Sequence, residues 1–343
     1  MYNMFLIFFM VNSNKMFFMF ILIFSTLISI SSNSWFGCWI GLEINLLSFI
    51  PLISNSNNLL MSEASLKYFL TQSIASINFL FSILLKMTLL KNFDFNNFLS
   101  IMINSSLLMK MGSTPFHFWF PNIVEGLSWF NNFILMSWQK ITPMILLSYY
   151  MNNNFLIIIM ILNVMIGGIG GLNQTSLRKL MAYSSINNLG WMISSMMISE
   201  NIWLFYFTIY SFLISIMIFM FYMLNMFFIN QLFINNMNSM IKMNLFINFL
   251  SLGGLPPFIG FLPKWIVINF LINNNMFLLS FIFIMMSLIM LFFYIRIIYS
   301  TLMFNYMKMK WFKINMKNNS LFFINMLSLL SMLGIILSTF LIF

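Results

Sequence analysis

Apolar runs long enough to cross a bilayer, about 20 residues each, recur along this chain from Phe17 to its C-terminus. Only clusters of Asn and Ser part them, as at Ser54–Asn58, Asn152–Asn154, Asn235–Asn238 and Asn273–Asn275. Lipid offers no partner to an unpaired backbone group, so spanning segments are helices or strands of a closed barrel. These runs are too long and too uniformly apolar for the alternating strands of a barrel. The sequence therefore predicts an all-α, polytopic membrane protein of about 11 transmembrane helices. They are expected near residues 16–32, 35–53, 66–85, 98–125, 127–150, 155–172, 177–198, 202–224, 245–270, 276–304 and 321–343, the fourth and ninth being interrupted. Charged residues make up 6% of the 343 and hydrophobic ones 62%, whereas a soluble domain carries roughly a quarter charged residues. Nothing is left over for a soluble domain, and 1–343 reads as a single membrane domain. No small-residue cleavage site follows the first run, Phe17–Ile30, so it reads as a retained helix and not a signal peptide.

The net charge of +10 does not point to nucleic acid, because the basic residues are scattered and no soluble surface exists to hold a duplex. In a membrane protein their placement reports orientation. Lys15, Lys67, Arg178, Lys179, Lys242, Lys308, Lys310, Lys313 and Lys317 fall on the side of the N-terminus, and only Lys86 and Lys91 on the other. That bias places the N-terminus on the matrix or cytoplasmic side, and an odd number of spans puts the C-terminus opposite. A single cysteine, Cys38, excludes a disulfide framework and a Cys-based zinc or iron–sulfur site, and a single histidine, His117, argues against a His-rich metal or haem site. No metal or cofactor site is expected in this chain. Abundant Met and Phe, with Arg only at 178 and 296, suit an A/T-rich coding genome such as a mitochondrial one.

Five charged residues fall inside or beside the spans. A charge at the bilayer centre costs at least about 2.5–3.5 kcal/mol. Glu43 is mid-span between Trp35 and Ile50, and Lys140 is mid-span just before Pro143, which loosens the local ladder. Lys110 stands two residues before Gly112, Lys264 follows Pro263, and Arg296 lies near enough to a helix end to snorkel. Structural ion pairs would explain such residues blandly, but four groups with three like charges make a poor structural cluster. Lysine also suits proton work: a desolvated ammonium can release its proton and regain it when a carboxylate approaches. A guanidinium cannot. Glu43, Lys110, Lys140 and Lys264 are thus the candidate catalytic residues.

Two of these lysines adjoin breaks. Gly112-Ser-Thr-Pro-Phe-His-Phe-Trp-Phe-Pro121 and Ser251-Leu-Gly-Gly-Leu-Pro-Pro-Phe-Ile-Gly-Phe-Leu-Pro-Lys-Trp265 cannot be continuous helix, since proline removes a donor and clashes with the preceding turn. Unwound backbone at membrane depth survives only where it is buried in protein or lines a wet cavity. The breaks fall in the fourth and ninth spans, five helices apart. A tandem five-helix unit must insert upside down the second time, and matched interrupted helices point to an inverted-repeat transporter. The expected layout is a first five-helix repeat over about 16–150, a second over 155–304 and a terminal helix at 321–343. Identity between the halves does not by itself establish the repeat.

Four segments resemble a known family. Gly41-Leu-Glu-Ile-Asn-Leu-Leu-Ser-Phe-Ile-Pro51, Pro115-Phe-His-Phe-Trp-Phe-Pro121, Leu172-Asn-Gln-Thr-Ser-Leu-Arg-Lys-Leu-Met-Ala-Tyr-Ser-Ser-Ile-Asn187 and the Ser251–Trp265 segment are similar to the chain 2 family of mitochondrial NADH:ubiquinone oxidoreductase, respiratory complex I. The resemblance runs from about Asn12 to the C-terminus; Met1–Met10 is an extension outside it. It implies an antiporter-like, proton-translocating core subunit of the membrane arm, in the mitochondrial inner membrane. A charged axis would run along mid-membrane, its family positions matching Glu43, Lys110, Lys140 and Lys264 without substitution. It implies that NADH, FMN, iron–sulfur clusters and ubiquinone are handled elsewhere in the complex. The implied partners are other membrane-arm subunits, neighbouring antiporter-like subunits among them, and phospholipids. In that scheme quinone reduction tightens or loosens the Glu43/Lys110 pair, Lys140 relays laterally, and Lys264 exchanges with the next compartment or subunit. His117 is expected to make a structural hydrogen bond more than to hydrate the route. A stand-alone cation/proton antiporter and a purely structural spacer are the alternatives.

Overall fold

The computed structural model describes residues 13–55, 57–89, 96–234, 236–303, 313–314 and 318–334. Among these the fold is helical, apart from a two-residue parallel pairing of β1 (Asn236–Met237) with β2 (Lys313–Ile314). Six of the described helices are long and apolar enough to cross a membrane. The chain divides into two compact units, residues 1–156 and 157–343.

In the first unit α1 (Ser13–Ser31) packs along α2 (Trp35–Ile53). A Cβ on Gly41 would run into the Ser29 backbone, so glycine sets how closely the two helices approach, as small residues do between helices in lipid. The hydroxyls of Ser25, Thr26 and Ser29 donate to carbonyls three residues back on α1, which satisfies them without water. Ser34 caps α2 by accepting the Gly37 N–H at 3.2 Å, replacing a partner the helix start lacks.

Next come α3 (Leu59–Leu89) and α4 (Asn96–Met111), then a break with a 3₁₀ turn at Phe116–Phe118 and α5 (Trp119–Gly126). Two further helices follow, α6 (Trp129–Met136) and α7 (Trp138–Ser148). Two expectations change here. Lys67 and Lys86 lie inside α3, which is longer at both ends than residues 66–85. Lys67 pairs with Glu63 one turn away at 2.5 Å; Lys86 stands 3.7 Å above the Tyr150 ring and 5.6 Å from that of Trp35, a cation–π arrangement. The expected helix at 127–150 is interrupted at Ser137, whose hydroxyl takes the Phe133 carbonyl at 2.6 Å. The Lys140 N–H then turns to the Ser137 carbonyl three residues back, at 3.2 Å. The Ser137 N–H keeps the Phe133 carbonyl as well, at 3.0 Å; a hydroxyl sharing that carbonyl bends a helix, and Pro143 follows a turn and a half later. Lys91, Lys308, Lys310, Lys317 and Met1–Met10 lie outside the described residues.

The chain enters the second unit through α8 (Asn153–Gly171) and continues with α9 (Leu177–Ile198), α10 (Glu200–Leu224) and a short α11 (Ile229–Ile234). Although α9 has the length to cross a membrane, it is rich in Ser and Asn, and nearly all of it is buried against protein. Asn187 on α9 donates to the Val164 carbonyl at 3.1 Å, beside Gly167, where a Cβ would meet the Asn187 backbone.

The ninth expected span is split into α12 (Ser239–Gly253) and α13 (Phe261–Asn273), followed by α14 (Phe277–Met303) and α15 (Asn318–Met332). Polar side chains join α12 to α15. Asn244 donates to Asn325 at 2.5 Å and accepts from Ser328 at 3.0 Å, and Asn248 accepts from Ser331 at 3.3 Å. Between helices in lipid such hydrogen bonds supply attraction that apolar contact does not, on the order of 0.6 kcal/mol each. Ser331 also accepts, through its carbonyl, the Ile259 N–H from the break at 3.1 Å.

Candidate functional site

Both broken helices end in the same way. At the end of α4 Gly112 adopts φ +71°, and at the end of α12 Gly254 adopts φ +80°, values that only glycine holds without strain. The Ser113 N–H bonds the Leu108 carbonyl and the Gly112 N–H that of Met109; Leu255 bonds Leu250 and Gly254 bonds Ser251 in the same pattern. Each is a Schellman motif. It stops the helix cleanly while leaving its last carbonyls, the negative end of the half-helix dipole, facing inward. Two of the three buried lysines, Lys110 and Lys264, stand at these two ends.

Lys110 lies in the last turn of α4 and is 7% exposed. The last carbonyls of α4 are taken by neutral donors: Gln72 Nε2 gives to Lys110 O at 3.1 Å, and Trp119 Nε1 to Met109 O at 3.2 Å. The Lys110 side chain instead borders a void of about 10 Å³, with Tyr68, Gln139 and Thr142 in the opposite walls. Gln139 Nε2 donates to Asn45 Oδ1 at 2.9 Å, tying α7 to α2 beside the void. The charge acting on Lys110 is the carboxylate of Glu43 on α2. Glu43 itself is only half-buried, whereas Lys110, Lys140 and Lys264 are buried.

Lys140, on the first turn of α7, is 1% exposed and is among the largest fully buried side chains. Its ammonium stands 5.4 Å from the Phe120 ring centroid. The interruption at Ser137 puts this lysine, like the others, beside irregular backbone.

In the second unit Lys264 lies on the first turn of α13 and is 6% exposed. Its Nζ reaches back across the break to donate to the Gly253 carbonyl at 3.0 Å, so here the lysine itself caps the helix end. The Trp191 ring lies 5.8 Å away. Lys264 shares a void of about 20 Å³ with Asn188, Tyr206 and Tyr210; Tyr206 donates to Asn188 Oδ1 at 3.1 Å. From residue 157 onward the sequence holds one acidic residue, Glu200, and it is exposed at the start of α10. No carboxylate of this unit lies buried with Lys264; the α12 terminus supplies the negative end it faces.

Arg296 is exposed and donates to the Leu172 carbonyl at 2.7 Å, capping the end of α8, a structural role. His117 is buried in the 3₁₀ turn against Phe118, with ring centroids 4.2 Å apart, and is not part of the wall around Lys110. Sequence reasoning missed the neutral residues of the two voids: Tyr68, Gln72, Gln139 and Thr142 in one, Asn188, Tyr206 and Tyr210 in the other. The one local hint was the run Gln139-Lys140-Ile141-Thr142, where three polar residues interrupt an apolar helix just before a proline. Among the described residues, no three of His, Cys, Asp and Glu come together as a metal cluster would require.

The NADH:quinone oxidoreductase/Mrp antiporter transmembrane family matches residues 32–290. NADH-ubiquinone oxidoreductase chain 2 of Anopheles gambiae is 54% identical over 309 residues, 89% of this chain and 90% of that protein. Among solved structures, a chain of respiratory complex I from Thermus thermophilus superposes with a TM-score of 0.84 at 18% identity, covering 95% of this chain and 79% of that one. A chain of the Mrp complex from Dietzia sp. DQ12-45-1b gives 0.73 at 13% identity, over 81% of this chain and 58% of that one.

Proposed function

Because the chain belongs to the NADH-ubiquinone oxidoreductase chain 2 family, within the NADH:quinone oxidoreductase/Mrp antiporter group, we propose that Glu43, Lys110, Lys140 and Lys264 form its proton route. The chain is a proton-translocating membrane-arm subunit of respiratory NADH:ubiquinone oxidoreductase, and a multi-pass inner-membrane protein. Its partners are other membrane-arm subunits, neighbouring antiporter-like subunits included, and phospholipids. About 11 spans, arranged as two inverted five-helix repeats and a terminal helix, carry it across the mitochondrial membrane with the N-terminus in the matrix. Redox chemistry takes place in other chains; one cysteine cannot supply the thiolate set that holds an iron–sulfur cluster.

Quinone reduction elsewhere acts on this subunit as a change of field. When Glu43 and Lys110 draw together, the carboxylate favours the charged lysine; when they part, desolvation favours release. The proton passes to Lys140, and Lys264 exchanges it with the next compartment or subunit. The observation that carries this reading is the burial of three lysines beside irregular backbone, two of them sharing small polar voids with tyrosine and carboxamide side chains. Lysines kept only to hold helices together would be expected to face carboxylates directly. Lys110→Met in the assembled complex is expected to lower protons pumped per NADH at least tenfold, with NADH oxidation by the peripheral arm retained. A wild-type pumping ratio in that variant would remove Lys110 from the route.

A further inference from the structure

The void beside Lys110 has features the four-residue route does not use. Thr142 is 1% exposed, and among the described residues its hydroxyl finds no protein partner. A threonine in a helix normally turns its hydroxyl to a carbonyl three or four residues back, as Thr26 does on α1; Thr142 does not. Its neighbour Pro143 has no N–H, so the helical donor for the Gln139 carbonyl is missing as well. Gln139, Thr142 and Pro143 all line the one void that Lys110 enters from α4. That void, at about 10 Å³, is the size of a single water, and a water there needs two to four polar partners. Three are at hand: the Lys110 ammonium as donor, the Thr142 hydroxyl as donor or acceptor, and the Gln139 carbonyl as acceptor.

We propose that Thr142 is a positioning residue that holds one resident water between Lys110 and the helix carrying Lys140. The inference rests on the proton-route reading of Lys110 and adds to it the group that first receives the proton. In the transfer an N–H bond of Lys110 breaks and its electron pair stays on nitrogen. The water oxygen gains that proton and releases one of its own toward Lys140. One proton moves and nothing is oxidised. The Thr142 hydroxyl and Gln139 carbonyl fix the water with a lone pair toward Lys110.

Thr142→Val keeps the shape and removes only the oxygen, which makes the two explanations diverge. If the void is dry, deleting an unsatisfied buried hydroxyl is neutral or stabilising, and pumping is unchanged. If the void holds the water, coupled proton transfer in the reconstituted complex falls about fivefold. The solvent deuterium isotope effect on coupled turnover then rises, and Thr142→Ser restores both. Lys110→Met, measured alongside, separates the two layers. Loss of pumping in Lys110→Met with wild-type rate and isotope effect in Thr142→Val overturns the water and keeps the lysine. A wild-type Lys110→Met overturns the route and the water with it. Should Thr142→Val fail to assemble, a map of the native complex resolving waters decides: density within hydrogen-bond distance of Thr142 Oγ1 and Lys110 Nζ supports the proposal, and a dry void overturns it.

Discussion

Lys140→Met is expected to reduce coupled proton transfer about a hundredfold, the lower end of what a positioned proton donor contributes, while the complex still assembles. The two halves of that expectation have separate causes. Lys140 is 1% exposed, so a charge there carries a desolvation cost, and a methionine of similar length fills the same space without that cost. Replacing a buried charge by a well-packed apolar side chain is often neutral for stability or better. The loss falls on transfer alone, because thioether sulfur cannot take a proton under these conditions. Lys140→Arg is expected to fail nearly as badly despite keeping the charge, since guanidinium does not release its proton. The measurement is proton uptake per NADH in vesicles, with the amount of assembled complex read on a native gel. Normal pumping by the arginine variant would show that Lys140 serves as fixed charge and not as a carrier.

Gly260→Ala is expected to prevent accumulation of assembled complex. The φ at Gly260 is −63°, so backbone conformation is no obstacle to alanine. The obstacle is contact: a Cβ there would be driven onto the carbonyl oxygen of Ser251, on the other side of the break. Backbone cannot swing aside as a flexible side chain does, and the cost is expected to be about 3 kcal/mol or more. Gly168→Ala is the matched control, because its Cβ would make ordinary contact with Met286 at 3.5 Å and beyond. Wild-type levels of the Gly260→Ala complex would mean that α12 and α13 have room to move apart at this crossing.

The features legible in the sequence were those with local causes. Gly112 and Pro115, or Gly254, Pro256 and Pro257, dictate a broken helix from the chemistry of the backbone alone, and a lysine beside each break is visible in the same window. What escaped notice was assembled from a distance. Gln72 meets the end of α4 from 38 residues away, and Tyr206 reaches Asn188 from the neighbouring helix. No spacing rule links such pairs, and in an apolar chain scattered Gln, Asn and Tyr read as ordinary helix residues. The interruption at Ser137 was hidden for another reason. Many serines here bond their own helix without stopping it, as Ser25 and Ser29 do, so one more serine carries no signal. The polar character of α9 was visible, yet only packing reveals that Ser184, Ser185, Asn187 and Asn188 all face protein.

The bond from Ile259 N–H to the Ser331 carbonyl bears on how the chain is made. Chains emerge from the ribosome N-terminus first, so the split helix around Gly254 reaches the membrane before α15 exists. Until α15 arrives, the Ile259 N–H lacks the partner that it has in the finished fold, in a solvent where an unmet backbone donor costs several kcal/mol. The geometry around Lys264 is therefore completed only near the end of synthesis. A premature stop before Asn318 would leave every residue of the proposed proton route in the product, yet deprive the second break of its cover. Such a truncated chain is expected to be cleared by quality-control proteases before it joins a complex, and not to persist as a slow pump.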